Sequence, residues 1–305
     1  MNGRKVNGIF LAIVLLNLST VVLLGLFGSA VTIGMVSNLI ISQAIIFVPV
    51  MIGTFLAKEN PIKLAGFHKI KISSMLMIIL FTFLAMPLIT LVNMISLLFV
   101  DNVVVEMSGE IIESPFFVML FFIGILGPFL EELACRGIIY QGYKKSGSTM
   151  RAMLLSALLF SLLHMNFNQA AYAFVVGVVL ILLVEATGSL WSAVLFHVIF
   201  NSWQVCSIYL VKPEASELLK AQEQLTKQFL LTAISGYLII AAITTAIAAC
   251  VLVWIAKNEK REEELRAVWS FHNIKADRGE KMVTVPLVLA IVLCLTFMSL
   301  YIILS

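Results

Sequence analysis

Apolar residues run in long blocks, each closed by a short polar or charged cluster. Nine blocks stand out, at about 6–27, 31–57, 72–100, 115–143, 150–165, 169–186, 190–211, 229–256 and 283–304. A helix needs about 20 apolar residues to cross a hydrocarbon core. The pattern therefore predicts an all-α integral membrane protein: a polytopic bundle of about nine transmembrane helices in one membrane domain over 1–305. The fifth and sixth blocks are short and are parted only by Asn166-Phe167-Asn168-Gln169, which reads as the turn of a helical hairpin. Pro87 and Pro128 fall inside blocks, where proline kinks or opens a helix. The first block follows Arg4 and Lys5 but exceeds the apolar region of a cleaved signal, and is read as an uncleaved helix.

Composition supports this reading. Hydrophobic residues make up 61% of the chain and charged residues 12%, about half the charged share of a soluble protein. The distribution of charge predicts orientation. With the N-terminus cytoplasmic, the inner loops carry Arg4 and Lys5; Lys58, Lys63, Lys69 and Lys71; Lys144, Lys145 and Arg151; and then Lys257, Lys260, Arg261, Arg266, Lys275, Arg278 and Lys281. The outer loops carry only Lys212, Lys220 and Lys227, and the outer stretch 101–113 is purely acidic. The excess of inner Lys and Arg predicts a cytoplasmic N-terminus and an outer C-terminus. The inner stretch 257–281 is a charged loop that reads as a solvated connector or, with Trp269 and Phe271, as a helix lying on the membrane surface. Basic residues lie beside spans rather than on a soluble domain, so the lipid bilayer is expected as a partner and nucleic acid is not. The expected location is the plasma membrane of a prokaryote. Cys135, Cys206, Cys250 and Cys294 have neither metal-knuckle nor redox spacing and read as buried small apolar residues.

Against this background the stretch Gly127–Gly137 is costly. Glu131, Glu132 and Arg136 lie inside the fourth block, and each charge at a bilayer centre costs roughly 2.5–3.5 kcal/mol on an insertion scale. Glu132 and Arg136 are i, i+4 and share a helix face, so they can pair. Glu131 points elsewhere. Two other blocks hold His164, and His197 with Asn201, the latter two again i, i+4. At about 1.5 Å per residue, Glu131, His164, His197 and Asn201 occupy one band between the midplane and the inner leaflet. There they are able to converge on one polar cavity. Peptide hydrolysis without a covalent intermediate needs a base for water, donors for the oxyanion and an acid for the leaving amine. A glutamate, two histidines and an asparagine meet that list. Glu, His and Arg also suit a proton- or ion-coupled transporter, and buried His and Asn also join helices in a non-catalytic scaffold.

The three motifs Glu131-Glu132-x-x-x-Arg136, Phe160-x-x-x-His164 and His197-x-x-x-Asn201 resemble the signatures of the CPBP (Abi) intramembrane proteases, the type II CAAX prenyl endopeptidase family. The resemblance covers about 115–211, which it marks as a catalytic core. It implies an intramembrane endopeptidase acting on a membrane-associated or prenylated peptide or protein. Glu131 and His164 would activate water, and His197 and Asn201 would form the oxyanion site. Glu132, Arg136 and Phe160 would support it. The family is labelled both metalloprotease and metal-free glutamate protease. If zinc is bound, Glu131, His164 and His197 are its candidate ligands; without an HExxH pairing, no tightly bound cofactor is expected.

Overall fold

The structure is a computed structural model and describes residues 1–27, 33–211, 226–269 and 281–304. It is all-helical, with no strand among the described residues. The helices are α1 (Gly3–Phe27), α2 (Met35–Leu56), α3 (Pro61–Ala65), α4 (Ile72–Ser96), α5 (Val103–Glu113) and the long α6 (Phe116–Lys144). There follow α7 (Thr149–Leu162), α8 (Phe167–Thr187), α9 (Leu190–Val211), α10 (Lys227–Asn258), α11 (Glu262–Ala267) and α12 (Val285–Leu304).

Eight of these helices are long and apolar enough to cross a membrane: α1, α2, α4, α6, α8, α9, α10 and α12. The chain is thus a multi-pass integral membrane protein. The expected fifth span is the exception. Helix α7 has 14 residues, about 21 Å at 1.5 Å per residue, short of the roughly 30 Å of a hydrocarbon core. It stops because Asn166 claims the chain for the next helix: its Oδ1 accepts from Gln169 N at 2.7 Å and caps α8. Capping by Asn side chains satisfies a helix's first N–H groups. The hairpin turn is therefore 163–166; of the polar cluster expected there only Asn166 lies in it, and 167–169 form the first turn of α8. The acidic stretch 101–113, expected as a loop, instead folds into α5. Of the charged stretch 257–281, α11 and its flanks dock Leu265 and Val268 into the bundle, while 270–280, with Phe271, lie outside the described residues. Cys135 and Cys294 are buried as expected, but Cys250 is exposed on α10; an apolar neighbourhood in sequence does not say which face of a helix is packed.

Two ends of the bundle are sewn separately. At one, Lys71 N donates to Glu259 Oε1 at 3.1 Å, and Asn258 Nδ2 donates to Ser73 and Ser74 at 2.8 Å. At the same end Lys144 pairs with Glu185 at 2.5 Å, and Arg261 Nε donates to the Glu185 carbonyl at 3.0 Å. Asn7 Nδ2 donates to the Met282 carbonyl and to Thr284. These contacts gather the basic connections onto one face. At the other end, Asn168 Nδ2 donates to Asn93 and Ser96 at 2.8 Å, and Tyr209 reaches the Ile111 and Ser114 carbonyls. Between the ends, α6 packs against α2, α7 and α9. The short connection after α3 folds inward, with Leu190 N donating to the Gly66 carbonyl and Ser189 Oγ to the His68 carbonyl. His68 itself is exposed.

The α7–α8 hairpin is closed by a small-residue contact. A Cβ on Gly177 would lie 2.9 Å from both Cα and Cβ of Ala157, and one neighbour there is backbone. Gly177→Val should therefore force the two helices apart and cost about 1–3 kcal/mol by overpacking. Thermal unfolding of the detergent-solubilised protein should show a lowered midpoint relative to Gly236→Ala, whose Cβ would meet open space.

Candidate active site

Helix α6 supplies Glu131, Glu132 and Arg136, and it is not a regular α-helix. It is π-helical over Leu120–Leu126, α-helical over Gly127–Glu132 and π-helical again over Leu133–Tyr140. In a π turn each N–H bonds to the carbonyl five residues back, and such turns concentrate at functional positions. Gly127 N–H reaches the Phe122 carbonyl in this register. The next donor would serve the Ile123 carbonyl, but residue 128 is proline and has no N–H. Helix α9 fills the gap: Asn201 Nδ2 donates to the Ile123 carbonyl at 3.2 Å, and Ser202 Oγ donates to the Gly124 carbonyl at 3.3 Å. The helix opening expected at Pro128 is thus a π stretch sealed by its neighbour, whereas α4 runs on through Pro87.

The charges on α6 divide as their spacing predicts. Arg136 Nη1 lies 2.6 Å from Glu132 Oε1, and both side chains have no exposed surface. The guanidinium carbon sits 4.0 Å above the centroid of Phe160 on α7, a cation–π contact that is strongest when desolvated. His197 on α9 completes the group, its Nδ1 lying 2.8 Å from Glu132 Oε1. A carboxylate accepts, so Nδ1 carries the hydrogen and donates. His197 Nε2 then faces Glu131, whose Oε2 is 4.0 Å away. Glu131 is the more open carboxylate, with 18% of its side chain exposed.

His164 lies just beyond the end of α7. Its Nδ1 is 3.1 Å from the Phe160 carbonyl, which only accepts, so this nitrogen donates, and in the neutral ring Nε2 is the nitrogen with the lone pair. Phe160 meets His164 edge-on at 5.1 Å between ring centroids and His197 at 5.9 Å. His164 also interacts electrostatically with Glu131 and His197. One buried phenyl ring thus spaces both imidazoles and the guanidinium. Glu131, Glu132, Arg136, Phe160, His164 and His197 are brought together. Asn201 stands one turn beyond His197, with one amide hydrogen committed to Ile123.

One participant escapes the motif reading. Gln43 on α2 donates from Nε2 to Glu131 Oε1 at 3.0 Å. It is an amide in the middle of an apolar span, the same signal by which His164 and Asn201 stand out. Glu185 is a second: it is buried on α8 and accepts from Tyr140 at 2.9 Å and from Lys144, at the basic end rather than at this cluster.

Among the described residues no three His, Cys, Asp or Glu side chains gather as a metal-ligand set, and Glu131, His164 and His197 are all described. His197 donates from Nδ1 to Glu132, so any metal it held would meet Nε2.

Fold and site together define a class: a multi-pass helical protein whose membrane-spanning helices enclose a carboxylate–imidazole cluster. Residues 113–203 match a family model described as type II CAAX prenyl endopeptidase Rce1-like. The match agrees with the resemblance to the CPBP/Abi proteases carried by the three motifs, and every motif residue lies within it. No curated protein and no solved structure matches the chain.

The pair at the centre predicts a contrast in stability. Arg136→Met leaves Glu132 charged and buried beside an apolar chain, a loss of about 3–5 kcal/mol for a broken buried pair. It should lower the thermal midpoint sharply or prevent recovery of monodisperse protein in detergent. Glu131→Gln should leave the midpoint close to that of the parent.

Proposed function

We propose that the protein is an intramembrane endopeptidase that hydrolyses a peptide bond with water activated by Glu131 and His164. The observation that carries this reading is the opposition of a partly open carboxylate, Glu131, to an imidazole whose far nitrogen is anchored on a buried carboxylate, 4.0 Å across. Polar groups separated by this distance are commonly bridged by water. In the reading, a water beside Glu131 loses its proton to Glu131 or to His164 Nε2, the lone-pair nitrogen, as its oxygen attacks the scissile carbonyl. The oxyanion is met by His197 Nε2–H and by the second amide hydrogen of Asn201. For His197 to donate there it carries hydrogen on both nitrogens. The charges of Glu131, Glu132, Arg136 and His197 then sum to zero, the condition that lets a charged cluster stand in a low-dielectric bundle. The held proton passes to the leaving nitrogen as the C–N bond breaks, and the second proton of the water follows from the new carboxyl group to the amine, giving a carboxylate and an ammonium group. Glu132, Arg136 and Phe160 hold the histidines and do not exchange protons. No step is routed through a metal.

The basic end of the bundle is the cytoplasmic one in this reading, because Lys and Arg are retained on that side. This puts the N-terminus inside and the C-terminus outside, with α7 as a ninth, short passage. Cleavage then takes place between the midplane and the inner leaflet. The substrate class suggested by the family description is a membrane-bound peptide or protein, prenylated near its C-terminus.

Three measurements test this. Membrane peptides from cells making the native protein should include cleavage products absent from cells making Glu131→Gln or His164→Ala, each variant being present at native abundance. Identical product sets would refute the mechanism. Purified protein in nanodiscs should lose at least 100-fold in rate on Glu131→Gln, the scale of general-base catalysis at about 10²–10⁴, on a peptide ending in prenyl-cysteine and three residues. Activity should survive dialysis against a chelator; its loss, with recovery on adding zinc, would replace water activation by Glu131 with metal chemistry.

A further inference from the structure

Helix α2 lies wholly outside the residues that match the family model, yet it touches the reacting carboxylate. Gln43 Nε2 donates to Glu131 Oε1 at 3.0 Å, while Gln43 Oε1 is buried with no hydrogen-bond partner. Leaving a buried acceptor unmet costs about 1–3 kcal/mol, so packing alone does not favour this amide. An apolar side chain would fill the same place in a helix made mostly of Leu, Ile, Val, Phe and Met.

The backbone opposite is cut away to admit it. A Cβ on Gly127 would lie 3.1 Å from Gln43 Nε2 and 2.9 Å from the Phe122 carbonyl. Gly127 is also the residue whose N–H closes the π register with Phe122. The same widened turn therefore lets α2 approach and sets the helical phase at which Glu131 follows four residues later. With Gln43 on Oε1 and His197 facing Oε2, the two oxygens of Glu131 are held differently. The titratable or charged groups around Glu131 are Glu132, Arg136 and Cys135 on its own helix, His164 beyond α7 and His197 on α9. Helix α2 contributes no ionisable side chain.

We propose that Gln43 is a positioning residue of the active site, which donates to Oε1 of Glu131 and so turns Oε2 toward His197 and the water. The proposal rests on the preceding section for what Glu131 does, but the contact itself is testable without a substrate. An amide donor favours the ionised carboxylate. Dicyclohexylcarbodiimide enters membranes and reacts with protonated carboxyl groups, so its labelling of Glu131 against pH reads this contact directly.

The full-length protein in nanodiscs is labelled across pH and the modified residue located by mass spectrometry, with Glu131→Gln marking the background. In Gln43→Leu the labelling midpoint of Glu131 should move about one unit toward higher pH, with an unchanged thermal midpoint. Gln43→Met, near in length but with no N–H donor and no charge, should move it about as far. If Gln43→Leu does not fold, Gln43→Met decides alone. A labelling midpoint equal to that of the native protein in the folded variants would overturn the proposal. With the prenyl-cysteine peptide, Gln43→Leu should lower kcat with KM little changed. Hydrolysis undiminished in Glu131→Gln would refute the protease mechanism instead, while a shifted labelling profile would still uphold the Gln43 contact.

Discussion

Arg136 and Glu132 have no exposed surface and lie among membrane-spanning helices, and each is the other's principal partner. Removing either leaves a buried charge without its main compensation. The pair reaches further than its own helix, because the guanidinium rests on Phe160 of α7 and the carboxylate takes Nδ1 of His197 from α9. One ion pair thereby fixes the relative position of three helices. It also settles which of two adjacent glutamates remains open: Glu132 is consumed by structure, and Glu131 is turned toward Gln43 and His197.

The irregular backbone of α6 follows a similar economy. Pro128 removes a donor from the helix, and Asn201 and Ser202 supply substitutes from α9. A side chain read from its motif as an oxyanion donor thus also mends a helix. The two roles are compatible because an amide nitrogen carries two hydrogens. His197 shares its work in the same way, with one nitrogen for Glu132 and one for Glu131. Within lipid, where unmet polar groups are expensive, Glu131, Glu132 and His197 at this site each answer to more than one neighbour.

What was legible in the sequence was what depends on local spacing. The apolar blocks give the helices, the i, i+4 interval gives the Glu132–Arg136 pair, and Asn166 marks the hairpin turn. Depth along each helix, counted from the basic loops, brought Glu131, His164 and His197 to one level. What depends on packing was hidden. No interval relates Gln43 to Glu131, 88 positions apart, or tells which nitrogen of His197 meets which glutamate. Nor did the block at 150–165 announce that its helix would stop at Leu162, since Leu163 and Met165 carry the apolar run past His164 up to the Asn166 cap.

That early stop bears on the bilayer itself. Leu154 and Leu158 are exposed on α7, so lipid meets a helix about 21 Å long beside neighbours of ordinary length. The backbone that follows, His164–Asn166, keeps its own polar groups satisfied, the His164 carbonyl accepting from Asn166 Nδ2 at 2.8 Å. Acyl chains alongside have less apolar wall to cover and must tilt or shorten, at fractions of a kcal/mol per Å of mismatch. If α7 crosses the bilayer as proposed, its short apolar wall would thin the membrane beside the turn that carries His164, and bilayer thickness would act on that side chain's position.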